Sequence, residues 1–399
     1  MDNEMTVHVP YRRLTSGPGY HWFGYYDKYE FDAADRLVLG MRVDFEDRDP
    51  GPDDEIAIGM VDTQEDDAWV DLGTSKAWCW QQGCMLQWLP GSPDTVVWND
   101  RAGDRFVCRV LNVRTGERRT LPMPVYTLTP DGKTAFTPDF RRINDTRPGY
   151  GYCGIPDPNL DVPAPADVGI WRMDMASGEP ELILSIAEAA AMDWEKGDFS
   201  KAKHYFNHLL ASPDGSRLEF LHRWLQPDGG HFQTRMMTCK PDGSDLRVVC
   251  DSGHASHFIW RDKDHILVCC SDTGKPRMCV IDVHTRALDA VDSSALPSVD
   301  GHFSYLPPPY EDWLIDDGGG GSSRAKGAAR DLVLHHLPSG KVVPLFSYWL
   351  SGKYAGERRV DLHPRVSREG TKVVVDAAPE CGRQLYLFDV ADVLRAHAK

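Results

Sequence analysis

The stretch Asn207-His-Leu-Leu-Ala-Ser-Pro-Asp-Gly215 reads as a short apolar strand that carries one histidine and ends in a Pro-Asp-Gly turn. A short strand running into a turn of Pro, Asp or Gly recurs in Cys84-Met-Leu-Gln-Trp-Leu-Pro-Gly91, Tyr126-Thr-Leu-Thr-Pro-Asp-Gly132, Ser256-His-Phe-Ile-Trp-Arg-Asp262, Gly301-His-Phe-Ser-Tyr-Leu-Pro307 and Leu362-His-Pro-Arg-Val-Ser-Arg-Glu-Gly370, three of which also carry a histidine. A second apolar run follows each turn, at 95–98, 134–136, 217–221, 265–270, 313–315 and 372–375. A seventh unit is Tyr20-His-Trp-Phe-Gly-Tyr-Tyr-Asp27, paired with 36–43.

Self-similar β-hairpins repeated along the whole chain indicate a ring of repeated sheets. Sharing 399 residues among seven units leaves about 57 each, room for four short strands. The expected fold is all-β: one seven-bladed β-propeller over 1–399, each blade a four-stranded antiparallel sheet. An open ring would leave two unpaired sheet edges, so the strand at 6–14 is expected to close it by pairing into the last blade. Helical periodicity is confined to 186–198, and 155–166 is rich in proline. Together these make 143–203 an inserted loop-and-helix segment. The Gly/Ser run at 318–323 reads as a flexible loop.

Composition narrows the function. A chain with 41% hydrophobic residues and 12 Trp can bury a large core. A net charge of −16 argues against nucleic acid and anionic membranes as partners, though a local basic pocket could still take an acidic substrate. Residues 1–13 contain no apolar signal region and no run is long enough to span a bilayer, so a cytoplasmic protein is expected. The ten cysteines form no C-x-x-C pair and read as buried reduced thiols. Oligomeric state is left open.

In a propeller the first strand of each blade lines the central channel. Ring closure would therefore bring His21, Gln87, His208, His257, His302 and His363 to one place. Five of seven units carry His at the aligned position, in a chain with 15 His in all, and imidazole is both a common metal ligand and a base suited to neutral pH. The competing reading is a polar, water-filled channel held by structural hydrogen bonds. His222 lies 14 residues after His208, Asp316 lies 14 after His302, and Asp376 lies 13 after His363. That spacing places each pair across a hairpin, with the aspartates as partners orienting the histidines. Arg142, Lys203 and Arg235 adjoin channel-lining segments. They would either clamp a carboxylate or cover the surface.

The order Tyr205-Phe-Asn-His208, Phe220-Leu-His222, Thr234-Arg235-Met236, Ser256-His257, Gly301-His302 and Asp361-Leu-His363-Pro364 resembles oligogalacturonate lyases. Those are seven-bladed propellers that cleave short galacturonides by β-elimination with a bound divalent metal, usually manganese. The resemblance implies His257 as the proton-abstracting base, Arg235 as its support, and His302 and His363 as metal ligands. His208 is expected as a further catalytic histidine, and Gln87 as an added ligand. His21, Arg142, Lys203 and His222 are expected to bind substrate. The family has a histidine where Asp361 stands here, and a glutamine where Arg358 stands. Asp361 remains a competent ligand, while Arg358 cannot bind a metal, so Ca, Zn or Fe stand beside Mn as candidates. The expected activity is a lyase acting on short 4-linked uronides, an anionic oligosaccharide. The alternatives are a lyase or hydrolase for another uronic-acid glycan, or a non-catalytic binding propeller.

Overall fold

Alternation of apolar and polar residues, broken by Pro, Asp and Gly turns, produces seven antiparallel sheets. In five sheets the strands from the channel outward are consecutive in sequence, and in the other two the outermost strand comes from the N-terminal end of the chain. The computed structural model describes residues 5–271, 275–292, 296, 300–318, 329–380 and 382–397. The innermost strands are Tyr20–Trp22, Gln87–Trp88, Thr127–Leu128, Lys203–Ala211, Ala255–Trp260, Phe303–Tyr305 and Arg365–Val366. These define blades 1 to 7 and fall on the seven units read from the sequence. The architecture is a seven-bladed β-propeller.

Ring closure differs from the single strand expected at 6–14. Tyr11–Arg13 pairs with Gln384–Asp389 as the outer strand of blade 7, with Tyr11 opposite Phe388. Met5–Val7 instead adds a fifth strand to blade 6, with Met5 opposite Tyr348. Pro10 lies between the two strands. It has no N–H to donate to a ladder, and the chain crosses from one blade to the next there.

The segment 143–203 is not one insertion. Gly169–Asp174 and Pro180–Ser185 inside it are the third and fourth strands of blade 3. What leaves the sheets is two excursions, 138–168 and 186–202. The first opens with the helix Phe140–Thr146, whose N-cap Asp139 accepts from the Arg141 N–H. The expected helix at 186–198 is only Ile186–Ala190, started by a Ser185/Glu188 capping box. Beyond it the apolar spacing serves a different purpose. Trp194 and Phe199 pack on Trp224 with ring centroids 4.8 and 5.2 Å apart. Residues 319–323 of the Gly/Ser run lie outside the described residues.

The core sits between blades. Between blades 1 and 2 it is aromatic: Trp22 lies 5.5 Å from Trp78 and 5.2 Å from Trp80, in tilted contacts. Nine cysteines among the described residues are free. No helix among the described residues is long and apolar enough to cross a membrane.

Candidate active site

Four of the six aligned positions meet in one chamber. The rings of His257 and His302 are 4.2 Å apart, and those of His302 and His363 are 4.1 Å apart. His208 joins them through Tyr25, whose ring lies 5.0 Å from His208 and 5.3 Å from His363. All four histidines are buried. Tyr25 and Tyr26 come from blade 1 and plug the channel. The chain turns into it at Gly24, where φ is 109° and a Cβ would lie 2.8 Å from the Gln82 backbone. Tyr26 is fixed there by donating its hydroxyl to the Phe258 carbonyl at 2.8 Å. His208 and His363 both have positive φ, 50° and 44°. Left-handed backbone at two non-glycine residues is strain that the surrounding packing must hold, and such strain clusters at functional sites.

His302, Asp361 and His363 each offer one ligand atom within 4.8 Å of the other two. Nε2 of His302 and Nε2 of His363 are buried without a hydrogen-bond partner among the described residues. Asp317 orients both histidines. It accepts from His302 Nδ1 at 2.9 Å, from the His302 backbone N–H at 2.8 Å and from the His363 N–H at 3.0 Å. Burial would raise the Asp317 carboxyl, but His302 outweighs it and holds the group below the usual carboxylate range. Burial, with His302 adding to it, pushes His363 well below an ordinary histidine, so it stays neutral and offers a lone pair. Asp361 accepts from Arg359 at 2.7 Å.

His257 Nδ1 lies 3.0 Å from Asp300 Oδ1 and 3.2 Å from the Asp300 carbonyl. The carbonyl accepts from Nδ1 and the nearby carboxylate charge favours a proton there, so in the neutral ring Nε2 carries the lone pair a base needs. His208 Nε2 lies 3.4 Å from Asp27 Oδ2. Burial would raise the Asp27 carboxyl, but Lys28 and His208 hold it at about 2.

The aspartates expected to orient the histidines do so only in part. The neighbour of Asp316, Asp317, takes that role. Asp316 itself faces His335 at 3.5 Å and accepts from the Gly318 N–H. Asp376 accepts from Phe23, Gly24 and Arg365, not from His363. His222 is opposite Phe206 rather than His208.

The remaining expected site residues are held elsewhere. Arg235 donates Nε–H to His222 Nδ1 at 3.1 Å and gives its other donors to carbonyls of Ala189, Met192 and Asp193. His222 Nε2 meets His204 Nδ1 at 2.9 Å, and His204 Nε2 meets the Phe199 carbonyl at 2.9 Å. One proton order satisfies this chain: each neutral ring donates through Nε2 and accepts at Nδ1. It binds the 186–202 excursion to blade 4, away from the chamber. Arg142 is bonded to the first excursion, and Lys203 pairs with Asp145 near its edge. His21 bonds Gln384 at 3.0 Å and packs edge-on against Trp69. Gln87 lines a separate cavity and donates to the Met85 carbonyl at 3.2 Å. Sequence reasoning missed Asp317, Asp300 and Tyr25. The tandem Asp316-Asp317 and the aromatic run after Gly24 were the available signals.

No protein-family model matches the chain, and no curated protein matches it. Solved structures do. An oligogalacturonate lyase in complex with manganese aligns with a TM-score of 0.64 at 15% identity, over 98% of this chain and 96% of that one. The oligogalacturonate lyase of Vibrio parahaemolyticus aligns at 0.62 and 13% identity, over 98% and 97%. A puromycin hydrolase aligns at 0.52 and 14% identity, over 92% of this chain but 55% of that one. The shared feature is the propeller fold.

Proposed function

We propose that this chain is a metal-dependent lyase that cleaves short 4-linked uronides by β-elimination. The observation that carries the reading is the buried His302–Asp361–His363 group beside His257. The likeness in fold to a lyase described with manganese supports it.

A divalent ion fits the donors present. Two buried imidazole nitrogens without a partner among the described residues and one carboxylate suit Mn, and also Zn or Fe. His302, His363 and Asp361 would hold the ion, with Asp317 orienting the imidazoles. When bound, it supplies positive charge next to the substrate carboxylate, where the elimination builds negative charge. His257 takes the proton from C5 on Nε2, and Asp300 holds the ring in that tautomer and steadies the imidazolium. The C4–O bond then breaks, the departing oxygen takes up a proton from the His257 imidazolium or from water, and a double bond conjugated with the carboxylate is left in the sugar. Tyr25 and Tyr26, packed against the four histidines, exclude water, which strengthens each charge interaction.

Ultraviolet absorbance during incubation with 4-linked oligouronides, with added Mn and with chelator, tests this. The expected result is a rising signal that chelator abolishes. Metal-loaded protein silent on every 4-linked uronide would overturn the reading.

A further inference from the structure

A cavity of about 400 Å³ lies at the other end of the first strands, among the turns that carry Pro90, Pro130, Pro213 and Pro307. The histidines stand at the opposite end of those strands, and Tyr26 separates the two spaces, touching both. Nothing in the proposed elimination uses this cavity. Its size is within the range that takes small organic ligands, about 300–1,000 Å³.

Three charged residues line it, Asp27, Lys28 and Arg368, and the other lining side chains are uncharged. The Lys28 ammonium is buried, donates to Asp27 Oδ1 at 2.8 Å and faces the Tyr126 ring at 4.8 Å, and among the described residues it has no second oxygen or nitrogen acceptor. The Arg368 guanidinium stacks on Tyr29 at 3.7 Å and makes no hydrogen bond or ion pair among the described residues. The wall therefore carries one net positive charge in a protein of net charge −16. Leu210, Ile259, Trp260 and Val366 make the rest of the wall largely apolar.

We propose that this cavity is a second binding site, for a small monocarboxylate carried on an apolar or planar ring. A single negative charge balances the wall, and a planar carboxylate matches the fork of Arg368. A dianion such as phosphate would bring surplus negative charge towards Asp27 and leave the apolar wall unfilled. A neutral sugar would leave the Arg368 guanidinium without an anion. The site is independent of the lyase reading.

Calorimetric titration of the full chain with benzoate tests the proposal, beside inorganic phosphate and glucose. The expected result is saturable binding at one site, tighter for benzoate than for the other two. Arg368→Gln should weaken it by at least about tenfold. Arg368 is half-buried on a turn, and only its backbone N–H is bonded, to Asp35, so this variant keeps the fold. Ile259→Trp should abolish binding by filling the space, while His302→Ala, in the other chamber, should leave it unchanged. No saturable binding up to about 10 mM would overturn the proposal. So would loss of binding in His302→Ala with retention in Arg368→Gln, or phosphate or glucose binding as tightly as benzoate.

Discussion

Replacing Arg142 with Met distinguishes two roles for the same side chain, substrate clamp and structural anchor. The guanidinium is buried on the helix Phe140–Thr146. It donates to the His204 carbonyl at 2.6 Å, to Asp157 and the Asn159 carbonyl at 3.1 Å, and to the Val162 and Pro163 carbonyls at 2.9 and 2.7 Å. Methionine fills the stem volume but leaves Asp157, itself fully buried at its side chain, without its cation. Breaking a buried pair in this way costs about 3–5 kcal/mol. At an unfolding entropy of about 2.1 cal/mol/K per residue, 399 residues give about 0.8 kcal/mol/K, so the Tm should fall by about 4–6 °C. Thermal and urea denaturation measure this, and limited proteolysis should find new cleavage within 157–166. Arg142→Lys should fall between the two, since an ammonium offers three donors where five bonds existed. If Arg142→Met keeps its Tm and raises only the KM for a uronide, the anchoring argument is wrong and Arg142 faces substrate.

Further expectations follow from the chamber. Asp317→Asn should lower metal affinity by about 10–100-fold through lost orientation of His302 and His363, measured by competition with a chromogenic chelator. Unchanged affinity would place the metal elsewhere. His257→Ala should lower kcat by at least about a hundredfold while metal content stays the same. Equal loss of metal and activity would make His257 a ligand instead. The His222–His204 chain should make the fold acid-sensitive. Burial holds His204 at about 4 against an ordinary 6.5, so the unfolded chain binds its proton first. That stability is present above pH 6.5 and is lost as pH falls towards 4, about 3 kcal/mol from His204 alone. Urea midpoints across that range, compared with His204→Gln, would show the difference. Identical pH slopes in the two proteins would refute the neutral chain.

The ring was legible because its signals are local. Each turn carries its own Pro, Asp or Gly, and each first strand is short and apolar, as in Asn207–Gly215. The meeting of His208, His257, His302 and His363 followed from ring closure alone. Facing was harder to read. Asp316 and Asp317 are adjacent and point to opposite sides of one strand end, so a shift of one residue decides which of them serves His302. Arg142 and Arg235 could not be placed from the sequence. Most of their partners are backbone carbonyls of the two excursions, and any residue supplies a carbonyl. The span 143–203 misled because its prolines and short helix flank two ordinary strands of blade 3.

Closure of the ring by Tyr11–Arg13 also sets an order of events during synthesis. That strand leaves the ribosome early, but its partner Gln384–Asp389 lies about 370 residues further on. At about 5–20 residues per second, the early strand waits on the order of 20–70 s with its hydrogen-bonding edge bare. Blades 1 to 6 can collapse on their neighbours as they emerge, but the last seam cannot. The exposed faces of Tyr11 and its neighbours are then an opening for a chaperone, or for the matching edge of a second unfinished chain. Crowding of nascent chains should therefore favour strand exchange at this seam, and at the edge of blade 6 that waits for Met5–Val7, over the seams between blades 1 to 5.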